Sequence, residues 1–346
     1  MLDLLNSSQS AQFTRTDCRE IVRETLLGRQ LSPRSVDIML ASLTDSTYKQ
    51  YDGCIRSWIK YCEINNICYH SASISEIIHY LSQLFDQGVR YGTINSHKAA
   101  ISLLMGNPID DNRIKRFMKG VYRLRPPTPK YDIVWEPNIV LNYLSQFWPN
   151  HTLSLEDLSK KTVTLIALVT AHRVQTISLI KISNVVINQG SEVIIKIPDF
   201  IKTSGLNINQ PVLKLPFFTP RPEICPALSI IAYLNKTAPL RVNNQERLFL
   251  SYKKPHQEVS SQTISHWIKF ILGKSGVDVS IFTAHSTRHA STSSANRIGV
   301  SIEVIKKTAG WSEQSGVFAK FYNKEIINDQ NSFARSILTN NNNNCD

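Results

Sequence analysis

His285-Ser-Thr-Arg288-His289, then Gly310-Trp311, then Tyr322, is the stretch of this 346-residue chain whose reading decides the fold. It assembles, in order, groups suited to breaking and resealing a phosphodiester. Such a diester is already negative and repels nucleophiles, and attack at phosphorus builds more negative charge. Fixed cations on the nonbridging oxygens and a proton donor for the leaving oxygen lower that barrier. Arg288 offers a planar fork that grips two oxygens, His285 a hydrogen bond, and Tyr322 a hydroxyl nucleophile. Taken singly, each has an ordinary reading: a satisfied core histidine, a salt-bridged arginine, a packed ring. Polar Asn323-Lys324 after Tyr322 suits an exposed hydroxyl better than a buried one. His285 and His289 would share a helix face. A zincin pair, however, needs a glutamate directly after the first histidine, where Ser286 stands, so no metal site is assigned.

The H-x-x-R-H, G-W, Y order resembles the carboxy-terminal signature of the tyrosine recombinases, also called the phage-integrase family. The resemblance implies a second arginine upstream, at the start of a short helix after an apolar run. Val163–Thr170 is apolar enough to be a buried helix, and it leads into Ala171-His172-Arg173-Val-Gln-Thr176-Ile-Ser-Leu179, so Arg173 takes that part. The family also has a lysine at a β-hairpin turn between its two arginines. Ser191–Pro198 and Pro211–Pro216 read as partner strands, with Lys202 among the turn residues between them. Lys196 and Lys214 lie nearby and compete for the role. Trp311 stands at the family's histidine-or-tryptophan position, and Tyr252 lies upstream of the histidine–arginine box, in the wrong order for the nucleophile. The chain departs from the pattern at Thr176, where the family often has a glutamate that braces the first arginine. Trp311 and Tyr322 are eleven apart, a spacing more similar to the eukaryotic mobile-element branch, DIRS-type and crypton-like.

What the resemblance implies is a mainly α fold with a small antiparallel β-sheet: a helical core-binding domain followed by an α+β catalytic domain. It implies site-specific cleavage and rejoining of double-stranded DNA through a 3′-phosphotyrosine, for integration or excision of a mobile element. The catalytic set would be Arg173, Lys202, His285, Arg288, Trp311 and Tyr322, with no metal, nucleotide or other cofactor. A monomer in free form would assemble as a homotetramer on two duplexes. Two alternatives stand beside this: a domesticated or decayed chain that only binds DNA, and a type IB topoisomerase-like enzyme that relaxes single duplexes. A metal-dependent nuclease would need an acidic cluster that does not accompany these residues.

Composition agrees with a polyanionic partner. Lys and Arg number 39 against 27 Asp and Glu, a formal net charge of +12, and such an excess favours nucleic acid through steering and counterion release. Hydrophobic content of 42% and aromatic content of 9% describe a globular chain. No apolar run approaches the roughly 18 residues that span a bilayer, and no secretory signal is visible at Met1. The six cysteines include no C-x-x-C pair and read as reduced thiols. The expectation is an intracellular, nuclear protein without a membrane partner.

Along the chain, residues 1–40 read as a polar arm with one short helix near Asp17–Leu27. Residues 41–124 read as the helical DNA-binding domain. Its helices span Thr47–Asn65, capped by Ser46 or Asp45, then Ser75–Asp86, Tyr91–Met105 and Arg113–Tyr122, capped by Asp110 or Asp111. Residues 125–134 form a proline-rich basic linker, extended because consecutive prolines forbid helix. Lys115, Arg116, Lys119, Arg123 and Arg125 read as a strap against DNA phosphates, which would set affinity rather than sequence choice. The alternative for them is a solvated helix end. Residues 135–338 read as the catalytic domain, with a small sheet at 183–217 and helices near Pro226–Asn235, Ser261–Leu272, Thr287–Arg297 and Ser301–Ala309. Residues 339–346 form an asparagine-rich tail too polar to pack a core.

Overall fold

In the computed structural model, residues 17–105, 111–128, 131–205, 209–242, 244–311 and 325–326 are described, the last two as backbone only. The chain divides into two compact units, Met1–Thr128 and Pro129–Asp346.

The first unit is all helix among its described residues: α1 (Cys18–Leu27), α2 (Pro33–Leu40), α3 (Asp45–Ile64), α4 (Ile74–Asp86), α5 (Tyr91–Met105) and α6 (Asn112–Leu124). Helical spacing in α3 turns Tyr48, Ile55, Trp58, Ile59 and Cys62 inward, with Ile55 and Trp58 fully buried. Each such aliphatic side chain stabilises the unit by about 1.5–3 kcal/mol relative to exposure. Thr44 caps α3, its hydroxyl accepting from the Thr47 amide, one residue earlier than the sequence implied. A reciprocal capping box starts α4: the Glu76 amide donates to Ser73 Oγ at 3.2 Å, and the Ser73 amide to Glu76 Oε2 at 2.6 Å. Asp111 caps α6.

The expectation of a loose arm over residues 1–40 does not describe residues 17–40. Cys18, Ile21, Val22 and Leu26 of α1 and Val36 and Leu40 of α2 are buried in the same core as α3 to α6. The two short helices are amphipathic, and that apolar stripe outweighs their polar composition.

In the second unit, α8 (Leu155–Thr170) is the central helix, after β1 (Ile133–Val134) and α7 (Pro137–Ser145). Ser154 caps α8 by accepting from the Asp157 amide at 3.0 Å. Helices α10 (Pro226–Thr237), α11 (Ser261–Lys274) and α12 (Ser286–Arg297) pack against α8. Buried Lys161 on α8 donates to the Phe147 carbonyl and, at 2.7 Å, to Asn150 Oδ1; burial pushes its ammonium down to about 8. The sheet is antiparallel in the order β2 (Val185–Asn188), β3 (Glu192–Lys196), β4 (Val212–Pro216), with Ile195 opposite Leu213 and Val193 opposite Leu215. Alternate residues Val193, Ile195, Leu213 and Leu215 point into the core, as a half-buried sheet requires. After α12 come α13 (Ile302–Thr308) and β5 (Glu325–Ile326). β5 pairs in parallel with β1, Ile133 beside Glu325 and Val134 beside Ile326.

Candidate functional site

The apolar run of α8 ends at Ala171, a non-glycine residue held at φ +50° in the left-handed region. This left-handed cap redirects the chain, so that His172 and Arg173 follow at once and α9 (Val174–Ser178) begins with Arg173 at its N-cap. Such a conformation costs an alanine about 1–2 kcal/mol. Its product is a carbonyl aimed at the site: Arg288 Nη1 donates to Ala171 O at 2.6 Å. Arg288 sits in the first turn of α12 and is only 1% exposed. Its guanidinium carbon lies 4.1 Å from the centre of the Trp311 ring, a cation–π contact worth about 2 kcal/mol when desolvated. Trp311 is held by its own amide, which donates to Lys306 O at 2.9 Å past the end of α13, and it packs with Ala171, Ile305 and Ala309. The two sequence boxes, far apart in the chain, are thus joined through Arg288, Ala171 and Trp311.

Arg173 is half-buried, and among the described residues no hydrogen bond or ion pair occupies its guanidinium. His285 precedes α12 and is open to solvent by area. Even so, the surrounding protein, then Arg288, Arg173 and Lys202 in that order, push its imidazole down to about 4. His285 is therefore neutral at neutral pH. Its ring meets that of His289 edge-on at 5.3 Å, and His289 meets Tyr131 edge-on at 5.4 Å, an aromatic row that fixes the imidazole plane. Lys202 is exposed in the turn between β3 and β4, where the Ser204 amide donates to Ile201 O at 2.9 Å. Of the competing lysines, Lys214 stands on the outward face of β4 and pairs with Glu192 at 3.3 Å, and Lys196 ends β3 on the exposed side. Neither is among the charges that act on His285.

Thr176 is buried where a bracing glutamate was the familiar alternative. Tyr322 lies outside the described residues. The described backbone resumes at Glu325, beside β1 and α12.

His172, next to Arg173, also belongs to this cluster. It is buried at 6% and sits so close to Gly310, at φ +66°, that an added Cβ would come within 3.0 Å of its ring. Burial, then Arg288 and Arg173, push His172 down to about 4. The glycine of Gly310-Trp311 is the signal that could have found this contact.

The basic candidates separate. Lys115, Arg116, Lys119 and Arg123 are exposed on α6, on the side away from buried Ile114, Met118 and Val121. Arg125 does not belong with them. Its Nη1 donates to the carbonyls of Phe85 and Val89, each at 3.0 Å, and its guanidinium stacks 4.1 Å over Phe85. It closes the C-terminus of α4, where the negative end of the helix dipole favours a cation. Among the described residues no three His, Cys, Asp or Glu side chains converge as metal ligands, and no helix is long and apolar enough to cross a membrane.

A mostly helical body with a three-stranded antiparallel sheet, as these elements form, is the fold of a tyrosine-recombinase catalytic domain. Residues 142–326, more than half of the chain, match the phage integrase family, and the chain belongs to it. Solved structures agree in fold. The XerH site-specific recombinase bound to palindromic difH substrate superposes with TM-score 0.57 at 12% identity, over 89% of this chain and 82% of that one. The Tn1549 transposon integrase in complex with transposon right end DNA gives TM-score 0.55 at 13% identity, over 93% and 100%. No curated protein matches the chain.

Proposed function

We propose that this chain is a site-specific DNA recombinase that cuts and rejoins strands through a 3′-phosphotyrosine at Tyr322. The observation that carries the reading is the held guanidinium of Arg288, fixed by Ala171 O at 2.6 Å and by Trp311. A cation immobilised before the substrate arrives stabilises phosphorane charge without reorganising. Arg173, whose guanidinium has no partner among the described residues, takes the second nonbridging oxygen. Tyr322 Oη attacks phosphorus, and its proton passes to neutral His285. The bond to the 5′-bridging oxygen breaks, and that oxygen takes a proton from Lys202 to leave as a 5′-hydroxyl. A 5′-hydroxyl of another strand then attacks the phosphotyrosine and restores the tyrosine, so the bond energy is conserved.

Duplex DNA is the proposed partner. The XerH and Tn1549 integrase structures were solved on their own DNA substrates, and the +12 charge and the α6 stripe suit the same ligand. The exposed stripe of Lys115, Arg116, Lys119 and Arg123 would act as a phosphate-contacting strap. The functional assembly is a homotetramer on two duplexes, monomeric when free, acting in the nucleus on a mobile element of the DIRS or crypton type. Buried Thr176 in place of an acid favours one second reading, a copy that binds DNA without cutting. The test is to incubate the full chain with a randomised pool of nicked duplexes in EDTA. A detergent-resistant protein–DNA adduct supports cleavage; DNA binding with no adduct selects the binding-only reading.

A further inference from the structure

Phe200 is 73% exposed, the most exposed aromatic side chain among the described residues. It stands two residues before Lys202, on the short connection from β3 to the β3–β4 turn. The residue between them, Ile201, is 4% exposed and anchors that connection in the core, so Phe200 and Lys202 both face outward around a buried pin. The turn is held in shape by Ser204. Its Oγ accepts from the Ile201 amide at 2.9 Å and joins the Gln210 side chain at 2.9–3.1 Å, while the Ser204 amide closes the turn on Ile201 O. On the other flank Asp199 reaches Lys181 at 3.7 Å, which itself pairs with Glu246. An aromatic ring is thus presented to solvent on a braced turn, beside a lysine whose charge is felt at His285.

A hydrophobic ring in water lacks the stabilisation that burial would give it, and a partner surface would supply it. The neighbouring chemistry identifies the partner. Lys202, Arg173 and buried Arg288, the three cations that act on neutral His285, form a cationic surround that fits a polyanion. A nucleic acid supplies both a phosphate for the cations and an aromatic face for the ring. We propose that Phe200 is a DNA-contacting wedge that stacks on, or enters, a base step adjoining the phosphate that Lys202 serves. This rests on the reading of the site as one that handles a DNA phosphate, and adds to it a group that unstacks the duplex where the strand is cut. Apolar wedges of this kind unstack a step at an expense of a few kcal/mol, which the extra contact offsets. A base–aromatic stack is worth about 1–3 kcal/mol.

The experiment uses the full chain and a duplex enriched from a randomised pool by its binding, with 2-aminopurine placed at successive positions. The unmodified chain should raise 2-aminopurine fluorescence at one or two adjacent positions. Phe200→Ala should abolish that rise and weaken binding about 5- to 150-fold, the range of one lost stack, while Phe200→Trp keeps both. Lys202→Ala should keep the fluorescence rise and lose cleavage. A Phe200→Ala chain with the full fluorescence rise overturns the proposal. So does one that loses only protein–protein association, which would assign the ring to a neighbouring protomer. The two readings fail separately. Covalent adduct without Phe200-dependent unstacking leaves the recombinase and removes the wedge; Phe200-dependent unstacking without any adduct leaves the wedge and removes the recombinase.

Discussion

Gly310→Ala strikes the site at the point where its two halves touch. The backbone there holds φ +66°, and a new Cβ would lie 3.0 Å from Cε1 of His172, a ring only 6% exposed and unable to swing aside. The left-handed backbone costs about 1–2 kcal/mol with a side chain present. Forcing a methyl into a packed contact costs about 1–3 kcal/mol. Together these give roughly 2–5 kcal/mol against the catalytic unit, and because Trp311 is the next residue, the stack on Arg288 shifts with the loop. Urea unfolding of Gly310→Ala, His172→Ala and the double variant in the full chain separates the terms, since the cycle isolates the contact between the two sites. The account expects the double variant to recover about 1–3 kcal/mol relative to the sum of the singles, with the backbone part remaining. An additive cycle, or a Gly310→Ala chain within about 0.5 kcal/mol of the unmodified protein, would refute the reasoning.

Other perturbations follow from the same geometry. Arg288→Lys removes the planar fork and the ring stack while keeping a charge, and it should slow covalent adduct formation about 10²- to 10³-fold, the usual loss of one preorganised donor; a change under tenfold in single-turnover cleavage would show that a point charge suffices. His172 is neutral in the folded chain down to about pH 4, whereas the unfolded chain takes up its proton near pH 6.5. Its contribution is therefore fully present above pH 6.5 and is lost as pH falls from there through 4, by roughly 3 kcal/mol at most. His172→Gln should flatten the urea midpoint over that window, and an unchanged pH slope in the variant would place the acid sensitivity elsewhere. Replacing Lys115, Arg116, Lys119 and Arg123 with alanine should lower the slope of log affinity against log salt by up to about 3–4, near 0.9 per phosphate contact. Arg125→Ala should instead lower stability through the end of α4 and leave that slope alone; an unaltered slope in the quadruple variant would remove the stripe from the DNA.

Much of the helical fold was readable because helices write their inward face every three to four residues. Trp58, Ile55 and Cys62 mark α3, and Tyr91–Met105 and Ser261–Lys274 follow the same rule. The β3–β4 pair was readable from alternation and turn residues. Within the arm α1 was read where it lies, near Asp17–Leu27, but its packing and α2 were not, because both helices bury a narrow stripe inside a polar composition. The contacts of Arg125 with Phe85 and Val89 were not legible, because a positive charge in a basic run carries no sign of whether it faces phosphate or a helix terminus. Ala171 was unreadable in principle: alanine is an ordinary helix residue, and only the contacts of Arg288 and Trp311 explain its left-handed conformation. The two-residue pairing of β1 with β5 joins segments far apart in sequence and leaves no local pattern. Arg288, His285 and Trp311 were singled out because their order resembles the family's signature, while the tie between Gly310 and His172 needed coordinates.

The central claim is that one oxygen, Tyr322 Oη, carries the covalent link to DNA. Adduct from the full chain and a nicked duplex, formed in EDTA, is digested with protease and nuclease and sequenced by mass spectrometry. The account predicts a single nucleotide-bearing peptide, modified at Tyr322 through a 3′-phosphate, and its loss in Tyr322→Phe while DNA affinity stays within a few-fold. An adduct mapped to any other residue, or one that persists in Tyr322→Phe, would contradict it.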